Sequence, residues 1–492
     1  MKLSTQQNDR PRNLLVILSD EHDPRYMGCS GAGFIQTPHL DALARRGTRF
    51  ENAWTPSPIC VPARAALATG RWTHQTRYWD NAIAYEGRWS SWHHRLAEAG
   101  VRVESIGKLH YRGSADPAGF QQQHEALHIK DGIGLVWGSV RDPMPATRGA
   151  SPIFDDLGAG ESSYNRYDAR IADTAADWVN ARASEAAGQP WALFVGFVAP
   201  HMPLVVPQPW LDLYPCDALP AFKLQPQHGH RRHPWVERMA RHWDHDAALG
   251  SDERRQLAQR CYFGLVSYLD GQVGRVLAAL EASGQAQDTT VVYTSDHGDN
   301  LGARGLWNKS TLYRESVGVP MIVAGPGIPA GQVRSTQASL VDLYPTALDA
   351  CGIPALPEES ALPGRSLQRM AQEADDPLRI GFSEYHAVGA ESAAFMLAQG
   401  RYKYHHYVGH RPELFDLEAD PEELHDLAAD PRHAATCAGF ESMLRAMLDP
   451  EAVDRQAKDD QNDLVIRFGG RDSALTRGNL GPTPVDDKYR MT

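Results

Sequence analysis

The sequence predicts an α/β fold, in which a large, mostly parallel β-sheet lies between layers of helices and a smaller C-terminal α+β subdomain follows. Two observations support this prediction. Short, continuous apolar runs alternate with helical patterns along the first three quarters of the chain, which is typical of strands buried on both faces of a parallel sheet. After about residue 375 the pattern changes to shorter strands and close turns, which indicate antiparallel pairing.

Five apolar runs predict strands of the large sheet. They are Leu14–Leu18, Val101–Ile106, Trp191–Val198, Thr290–Thr294 and Pro320–Ala324. Turn residues follow each run, and Asp, His or Lys follow most of them. Because ligands bind beyond the carboxyl ends of the strands in such sheets, we expect these polar side chains to converge at one edge.

Helical patterns lie between these strands. They are predicted over Thr37–Gly47, Ala63–Thr69, Ser90–Ala99, Asp168–Ala187 and Asp252–Ser283. Their apolar residues recur at the spacing of helices that bury one face, so we expect them to cover the sheet.

The C-terminal quarter predicts a small antiparallel unit. Arg401–Tyr407 and Glu413–Leu417 read as two strands joined by a turn, and a helix near Ala435–Leu448 is expected to pack on them. A chain of 492 residues exceeds the usual size of one core, which favours a division into several parts. The predicted parts are an α/β domain over 1–375, a C-terminal subdomain over 376–453 and a polar C-terminal arm over 454–492.

Composition excludes several classes of partner. The chain has 49 Lys and Arg against 61 Asp and Glu, a formal charge of −12, which argues against a general nucleic-acid binder. No apolar run approaches the roughly 20 residues that span a bilayer, so no membrane partner is expected. The polar first residues lack a signal-peptide core, and we therefore expect a cytoplasmic protein.

The segment Cys60-Val-Pro-Ala-Arg64 is the most specific motif in the chain. Its neighbouring prolines favour extended backbone at Cys60, and a helical pattern begins just after it. A helix N-terminus favours an anion. Alone, the motif is also compatible with a buried Cys and a surface Arg that have no joint function.

Polar residues of the same few types follow four of the predicted strands. Asp20 follows the first, Lys108 and His110 the second, His201 the third and Asp296 the fourth. An acidic chain that gathers cationic groups at strand ends is suited to a pocket for one small anion.

Together with the Ala-Ala-Leu-Ala-Thr-Gly that follows it, the Cys60 motif resembles the signature of the type I sulfatases. Further motifs in the order of that family extend the resemblance from Leu14 to Pro421. The resemblance implies an alkaline-phosphatase-like fold with a mixed, mostly parallel sheet, and hydrolysis of sulfate esters. It also implies that a formylglycine-generating enzyme oxidises Cys60 to formylglycine during maturation.

The resemblance implies a site for one divalent cation. The family's metal ligands correspond to Asp20, Asp296, His297 and the residue derived from Cys60, with Glu21 where the family usually has Asp or Gln. Oxygen ligands of this kind suit a hard cation, and Ca²⁺ is the first choice. The nitrogen of His297 makes Mn²⁺ the second choice, because softer ions accept imidazole better.

The resemblance also assigns the basic residues. Lys108, Lys309 and His201 would bind the sulfate oxygens, while one hydroxyl of the formylglycine hydrate attacks sulfur. His201 or Lys309 would protonate the departing alcohol, and His110 would take the proton of the second hydroxyl so that sulfate is expelled. Arg64 would hold the hydrate and balance charge beside the metal.

Two segments, Tyr78–Asn81 and Asp296–Trp307, resemble the choline-sulfatase-like and phosphonate monoester hydrolase branches of the family. The candidate substrate contacts are Asn81, Trp137 and Glu384. An aromatic wall with one acid would suit a cationic alcohol such as choline, but tryptophans also serve as ordinary core. A small alkyl or aryl sulfate monoester is therefore the predicted substrate.

Two alternatives remain open at this point. Hydrolysis of phosphonate monoesters or phosphodiesters would use the same site, although His110 favours a sulfatase. A non-catalytic metal-binding homologue is the other, and no candidate position is visibly lost to support it. The polar arm after residue 454 favours a homo-oligomer in which it closes a site or contacts another subunit.

Overall fold

The computed structural model describes residues 12–145, 152–183, 189–476 and 483–489. These residues form 16 strands, which belong to one large sheet and three smaller sheets. The strands are β1 (Asn13–Asp20), β2 (Gly47–Phe50), β3 (Ala53–Trp54), β4 (Arg102–Lys108), β5 (Gln122–Leu127), β6 (Leu157–Ala159), β7 (Trp191–Pro200), β8 (Leu204–Val206), β9 (Thr289–Ser295), β10 (Met321–Ala324), β11 (Gln332–Arg334), β12 (Ala338–Ser339), β13 (Gly381–Tyr385), β14 (Ala394–Gln399), β15 (Tyr402–Tyr407) and β16 (Glu413–Asp416).

The described residues also form 15 α-helices. They are α1 (Pro38–Arg46), α2 (Cys60–Thr69), α3 (Thr73–Thr76), α4 (Trp92–Glu98), α5 (Ser163–Ala183), α6 (Gln208–Leu211), α7 (Pro234–His242), α8 (His245–Leu249), α9 (Asp252–Ala282), α10 (Arg314–Val317), α11 (Leu343–Ala350), α12 (Leu367–Gln372), α13 (Ala434–Met447), α14 (Pro450–Arg467) and α15 (Arg471–Thr476). Within the described ranges, no helix is both long and apolar enough to cross a membrane. Residues 184–187 of the helix predicted over Asp168–Ala187 lie outside the described residues.

The main sheet has eight strands in the order β11-β2-β10-β9-β1-β7-β4-β5. Strands β9, β1, β7, β4 and β5 run parallel, which confirms the predicted fold class. The strand predicted at Pro320–Ala324 is β10, but it runs antiparallel to β9. Its apolar run does not encode direction, because a strand buried on both faces has the same pattern in either orientation.

The apolar run of β1 covers both faces of this sheet. Leu14, Val16 and Leu18 contribute to one core cluster and Leu15 and Ile17 to the other, all without solvent exposure. This division follows from the alternation of side chains along a strand. Helices α5 and α9 pack on the second face, and α2, α4, α11 and α12 contribute residues to the first cluster.

The C-terminal region contains a four-stranded antiparallel sheet in the order β13-β14-β15-β16. The predicted hairpin corresponds to β15 and β16, while β13 and β14 were not predicted. Helix α13 packs on this sheet through Phe440 and Leu444. The predicted boundary between residues 453 and 454 falls inside α14, which places Leu464 and Val465 against Val136 near the main sheet. The division into three domains stays a prediction, and α14 runs continuously across its second boundary.

Candidate active site

Four neighbouring strands end at the same edge of the sheet. Asp20 is the last residue of β1, Lys108 the last of β4, His201 follows β7 and Asp296 follows β9. Since β9, β1, β7 and β4 are adjacent in this order, their carboxyl ends bring these side chains together. The convergence expected from the sequence is therefore present.

Cys60 is the first residue of α2, three positions earlier than the predicted helix start at Ala63. Ile59 before it is extended, with φ −159° and ψ 142°. Every residue of α2 is buried, and Cys60 is only 1% exposed. The Val61 N–H donates to Asn81 Oδ1 at 3.0 Å, so Asn81 satisfies one of the free amides at the start of the helix.

The Cys60 sulfur lies among charged and nitrogen-bearing groups. Its Sγ is 3.3 Å from His297 Nε2, 3.3 Å from Lys309 Nζ and 3.8 Å from Asp20 Oδ1. Burial raises the pKa of the Cys60 thiol, and the charge of Asp20 raises it further. An unmodified thiol at this position is therefore a poor nucleophile, which sets it apart from cysteines that act as thiolates.

Ligand atoms for a metal ion lie close together behind Cys60. Atoms of Asp20, Cys60, Asp296 and His297 are within 4.8 Å of one another, and so are atoms of Asp20, Glu21 and His201. Both carboxylate oxygens of Glu21 are buried without a hydrogen-bond partner. Since buried charged oxygens are otherwise paired, this arrangement fits a divalent cation.

The imidazole of His297 has the orientation of a metal ligand. Its Nδ1 lies 3.0 Å from the Gly298 carbonyl oxygen, to which an N–H at this position donates. The proton on Nδ1 leaves the lone pair on Nε2, which faces Cys60 and the carboxylates. A hydrogen bond from the other ring nitrogen to a carbonyl oxygen commonly fixes the tautomer of metal-binding histidines.

The carboxylates of the site have opposite electrostatic environments. Burial would raise the pKa of Asp20, but the positive charges of Lys108 and Arg64 hold it well below its ordinary value. For Glu21, burial dominates and raises the pKa to about 8, although Lys309 opposes the shift. A cation beside Glu21 would favour the charged form of this carboxylate and so lower its pKa again.

Arg64 joins the two strand-end carboxylates. Its Nε donates to Asp296 Oδ2 and its Nη2 to Asp20 Oδ2, each at 2.8 Å, and its Nη1 donates to the Lys108 carbonyl oxygen. Lys108 Nζ lies 2.5 Å from Asp20 Oδ2. These contacts hold the two acids in one geometry, and the predicted role of Arg64 in holding the hydrate stays a prediction.

Two histidines at the site are held in defined orientations. His201 Nδ1 is 2.7 Å from the Met202 carbonyl oxygen, and its Nε2 is 3.6 Å from Glu21 Oε2. His110 Nε2 is 2.7 Å from Thr483 Oγ1, while its buried Nδ1 has no hydrogen-bond partner. Burial and the nearby lysines hold the pKa of both histidines well below the ordinary value, so both are neutral.

A cavity of about 170 Å³ opens above Cys60. Its polar floor is formed by Cys60, Lys108, His110, His201 and Lys309, and Asn81 and Trp137 also line it. Its upper wall is largely apolar and includes Ile129, Leu135, Trp137, Met239, Trp243, Leu306, Trp307 and Val388. The shape therefore separates an anion-binding floor from an apolar body.

Glu384 corrects one prediction, because it does not line this cavity. Its side chain is fully buried elsewhere, where Oε1 accepts from His74 and Oε2 lies 2.8 Å from His386 Nε2. Burial would raise the pKa of Glu384, but His74 and His386 lower it to about 2. A carboxylate already paired in this way is not available to a substrate in the cavity.

Several residues of the site were missed by the sequence reasoning. Trp243 and His245 line the cavity from the segment between α7 and α8, and Thr483 lines it from the C-terminal segment. Asp168 of α5 supports the end of β7 by accepting from the Val198 and Ala199 N–H groups, each at 2.8 Å. Only the aromatic-acidic run around Trp243 offered a sequence signal.

Comparisons with known proteins agree with this geometry. Residues 12–353 match a family model described as Sulfatase, and residues 302–449 match one described as N-sulphoglucosamine sulphohydrolase, C-terminal. Choline-sulfatase of Rhizobium meliloti (strain 1021) is 31% identical over 470 residues, which cover 91% of this chain and 89% of that protein. Arylsulfatase K of Danio rerio is 28% identical, over 92% of this chain and 87% of its own length.

A solved structure shows the same fold. The phosphonate monoester hydrolase of Agrobacterium radiobacter superposes with a TM-score of 0.70 at 22% identity, covering 91% of this chain and 96% of its own. At this identity the likeness concerns the fold, and it confirms the predicted alkaline-phosphatase-like architecture with a C-terminal sheet.

Proposed function

The chain belongs to the sulfatase family and is a sulfuric ester hydrolase, and on this premise we propose that its nucleophile is a formylglycine made from Cys60 beside one divalent cation. We further propose that the substrate is a small alkyl or aryl sulfate monoester. The observation that carries the proposal is the position of Cys60 Sγ, 3.3 Å from both His297 and Lys309 at the floor of the cavity.

Asp20, Glu21, Asp296 and His297 are the residues that would hold the cation. When bound, it would supply positive charge that neutralises the sulfate oxygens and favours attack at sulfur. The set is rich in carboxylate oxygens, which supports Ca²⁺, while the His297 nitrogen keeps Mn²⁺ as the second candidate. The Glu21 oxygens accept no hydrogen bond, and Oε2 lies 3.6 Å from both His201 Nε2 and Lys309 Nζ, which supports a cation of either kind beside them.

Hydrolysis then proceeds in two displacements. A formylglycine hydrate at residue 60 would supply one hydroxyl for displacement of the alcohol at sulfur and a second hydroxyl on the same carbon for the release of sulfate. The net reaction would consume one water and yield the alcohol and sulfate.

The geometry favours Lys309 over His201 as the group that protonates the alcohol. A neutral His201 that donates through Nδ1 to the Met202 carbonyl has no proton on Nε2, the nitrogen nearer to Glu21. The ammonium of Lys309 carries protons and lies beside residue 60. His201 and Lys108 would then bind sulfate oxygens.

His110 is proposed as the base for the second displacement. An Nε2–H that donates to Thr483 Oγ1 leaves the lone pair on Nδ1, which has no partner in the protein. A buried, neutral imidazole with a free nitrogen is suited to accept the proton of the second hydroxyl.

Hydrolysis of phosphonate monoesters or phosphodiesters is the second candidate, since the same floor suits other tetrahedral anions. The phosphonate monoester hydrolase of Silicibacter pomeroyi is 26% identical to this chain, with a TM-score of 0.69. This likeness supports measuring phosphonate monoester and phosphodiester hydrolysis beside sulfate hydrolysis. A cytoplasmic location, a homo-oligomeric state and maturation by a formylglycine-generating enzyme also belong to the proposal, and they rest on the sequence alone.

Two measurements test the proposal. Mass spectrometry of the peptide that contains Cys60, from protein made in its native host, should show an aldehyde in place of the thiol. Kinetics on matched aryl sulfate, phosphonate monoester and phosphodiester substrates should give the highest kcat/KM for the sulfate. An unmodified thiol in fully active enzyme, or equal rates for Cys60→Ala, would contradict the mechanism, and a preference for phosphonates would favour the second candidate.

A further inference from the structure

The upper part of the cavity has an aromatic wall of three tryptophans. Trp137, Trp243 and Trp307 line it, and the rings of Trp137 and Trp243 meet edge to face with centroids 4.8 Å apart. Trp307 is fixed by a hydrogen bond from its Nε1 to Asp246 Oδ1 at 2.9 Å. Rigid indoles of this kind bind flat apolar groups through large contact areas.

The charges that line the cavity are mostly positive. Lys108 and Lys309 lie at the floor, and Lys130 lies at the cavity margin with an exposed side chain. Among the described lining residues, Asp244 is the single carboxylate; it is exposed and accepts from the Ala247 N–H at 2.9 Å. Burial lowers the pKa of His245 to about 4, so this lining residue is neutral and adds no positive charge.

A cationic alcohol would meet the aromatic wall here, but the exposed Asp244 is the single carboxylate among the described lining residues to attract its charge. Quaternary ammonium groups are commonly bound by an aromatic wall, and a nearby acid would add attraction. Glu384, the acid that the sequence suggested, is paired with His74 and His386 away from the cavity. The ammonium groups at the floor would repel a second cation within a few ångströms in this partly dry site.

We propose that the alcohol released by this enzyme is uncharged and aromatic, and that the cavity selects against a quaternary ammonium alcohol. The inference deepens the proposed function and rests on it. The proposed alcohol differs from choline, which the name of the choline-sulfatase relative gives as that protein's alcohol. The volume of about 170 Å³ is compatible with one small ring, since an apolar cavity of roughly 150 Å³ accepts benzene.

A pair of substrates with the same shape isolates the charge. Choline sulfate and 3,3-dimethylbutyl sulfate differ by one positive charge, and choline is the better leaving group because of that charge. We expect kcat/KM at least about tenfold higher for the neutral ester, a difference of 1.4 kcal/mol or more. Equal or higher kcat/KM for choline sulfate would overturn the selection against cations.

A second pair isolates the aromatic ring. The esters 2-phenylethyl sulfate and 3,3-dimethylbutyl sulfate both release an uncharged primary alcohol. We expect kcat/KM several-fold higher for the phenyl ester, and Trp243→Leu should remove most of this preference. No preference in the unaltered enzyme would overturn the aromatic part of the proposal.

Lys130→Glu tests the charge at the cavity margin, where an exposed side chain can change without disturbing the core. It should shift the ratio of kcat/KM for choline sulfate to that for 3,3-dimethylbutyl sulfate several-fold toward choline. Arg455→Glu makes the same charge change on α14 outside the cavity and should leave the ratio unchanged. An unchanged ratio in Lys130→Glu would contradict control by the cavity's charge.

Different results would overturn the proposed sulfate ester hydrolysis and the proposed selection of the alcohol. If the protein with formylglycine at position 60 releases sulfate from none of the esters, both the proposed function and this inference are overturned. If it hydrolyses the esters without discrimination by charge or ring, the inference alone is overturned.

Discussion

The floor and the upper wall of the cavity are built in different ways. Most floor residues follow adjacent strands or begin α2, and Lys309 lies in the loop after β9 with its Nζ 3.3 Å from Cys60 Sγ. The wall residues come from short helices and loops that are far apart in the chain, such as Trp137 and Trp243. This difference indicates that the chemistry depends on the sheet, whereas the choice of alcohol depends on its connections.

The largest expected effect is on the floor. Asp20→Asn removes a carboxylate that Arg64 and Lys108 share, so it weakens the metal site and leaves buried cations underpaired. We expect kcat/KM to fall by about 10³-fold or more, and the free energy of unfolding by about 3–5 kcal/mol. Steady-state kinetics with metal analysis and thermal unfolding would measure both.

If Asp20→Asn kept both its metal content and its activity, the floor would not be the metal-bearing region. Removal of the cation by a chelator from the unaltered enzyme should likewise abolish activity, and Ca²⁺ or Mn²⁺ should restore it. The ion that restores the higher rate would distinguish the two choices.

A smaller effect concerns the support of the floor by Asp168. Burial raises the pKa of Asp168 to about 7, against 3.8 in its ordinary state, so the folded protein binds this proton more strongly than the unfolded chain. The resulting stability is present below about pH 4 and is lost as the pH rises through 7. Asp168→Asn stays neutral and lacks this pH dependence.

We therefore expect the stability of the unaltered protein relative to Asp168→Asn to decline by about 3 kcal/mol between pH 4 and pH 8. Denaturant unfolding of both proteins across this range measures the difference. A constant difference would show that the carboxyl of Asp168 does not titrate there.

On the upper wall we expect about a tenfold effect on apparent affinity. Trp137→Leu removes part of the apolar surface but no floor group, so KM for an aromatic sulfate should rise about tenfold with kcat little changed. Trp89→Leu replaces a partly buried tryptophan outside the cavity and serves as the matched control. A fall in kcat with an unchanged KM would show that Trp137 acts in the chemical step, and would contradict the division of roles between floor and wall.

The smallest effect concerns the contact between His110 and the C-terminal segment. Thr483→Val removes the hydroxyl that pairs with His110 Nε2 and frees the imidazole to change its tautomer. We expect kcat to fall about threefold to tenfold with a shifted pH profile and an unchanged KM. Thr476→Val, which removes only a contact within α15, is the control, and an identical pH profile in both variants would contradict the role.

The same contrast explains how much could be predicted from the sequence. Asp20, Lys108 and Asp296 were found because each follows a recognisable strand within a motif of fixed spacing. Trp243 and Thr483 were missed because irregular segments have no periodicity that predicts where they fold back. Strand β13 has five residues that are all buried, so it shows no alternation of apolar and polar residues, and strand direction in β10 has no local signal.

Glu384 illustrates a further limit. A single acidic residue in a sequence does not reveal which partners will surround it, and here it pairs with His74, which is distant in the chain, and with His386, which is two residues away. The fold class depends on repeated patterns that report burial, whereas a substrate contact depends on one side chain and its neighbours. The former is therefore predictable from one sequence, and the latter requires the structure.

The burial of Cys60 has a consequence for the order of events in the life of the protein. The residue is 1% exposed, and the helix that begins with it has every residue buried. No other enzyme can enclose this side chain once the strands and α2 have packed together. Under the proposed function, an enzyme that converts Cys60 must therefore meet the chain before this segment has packed, so its action would compete in time with folding.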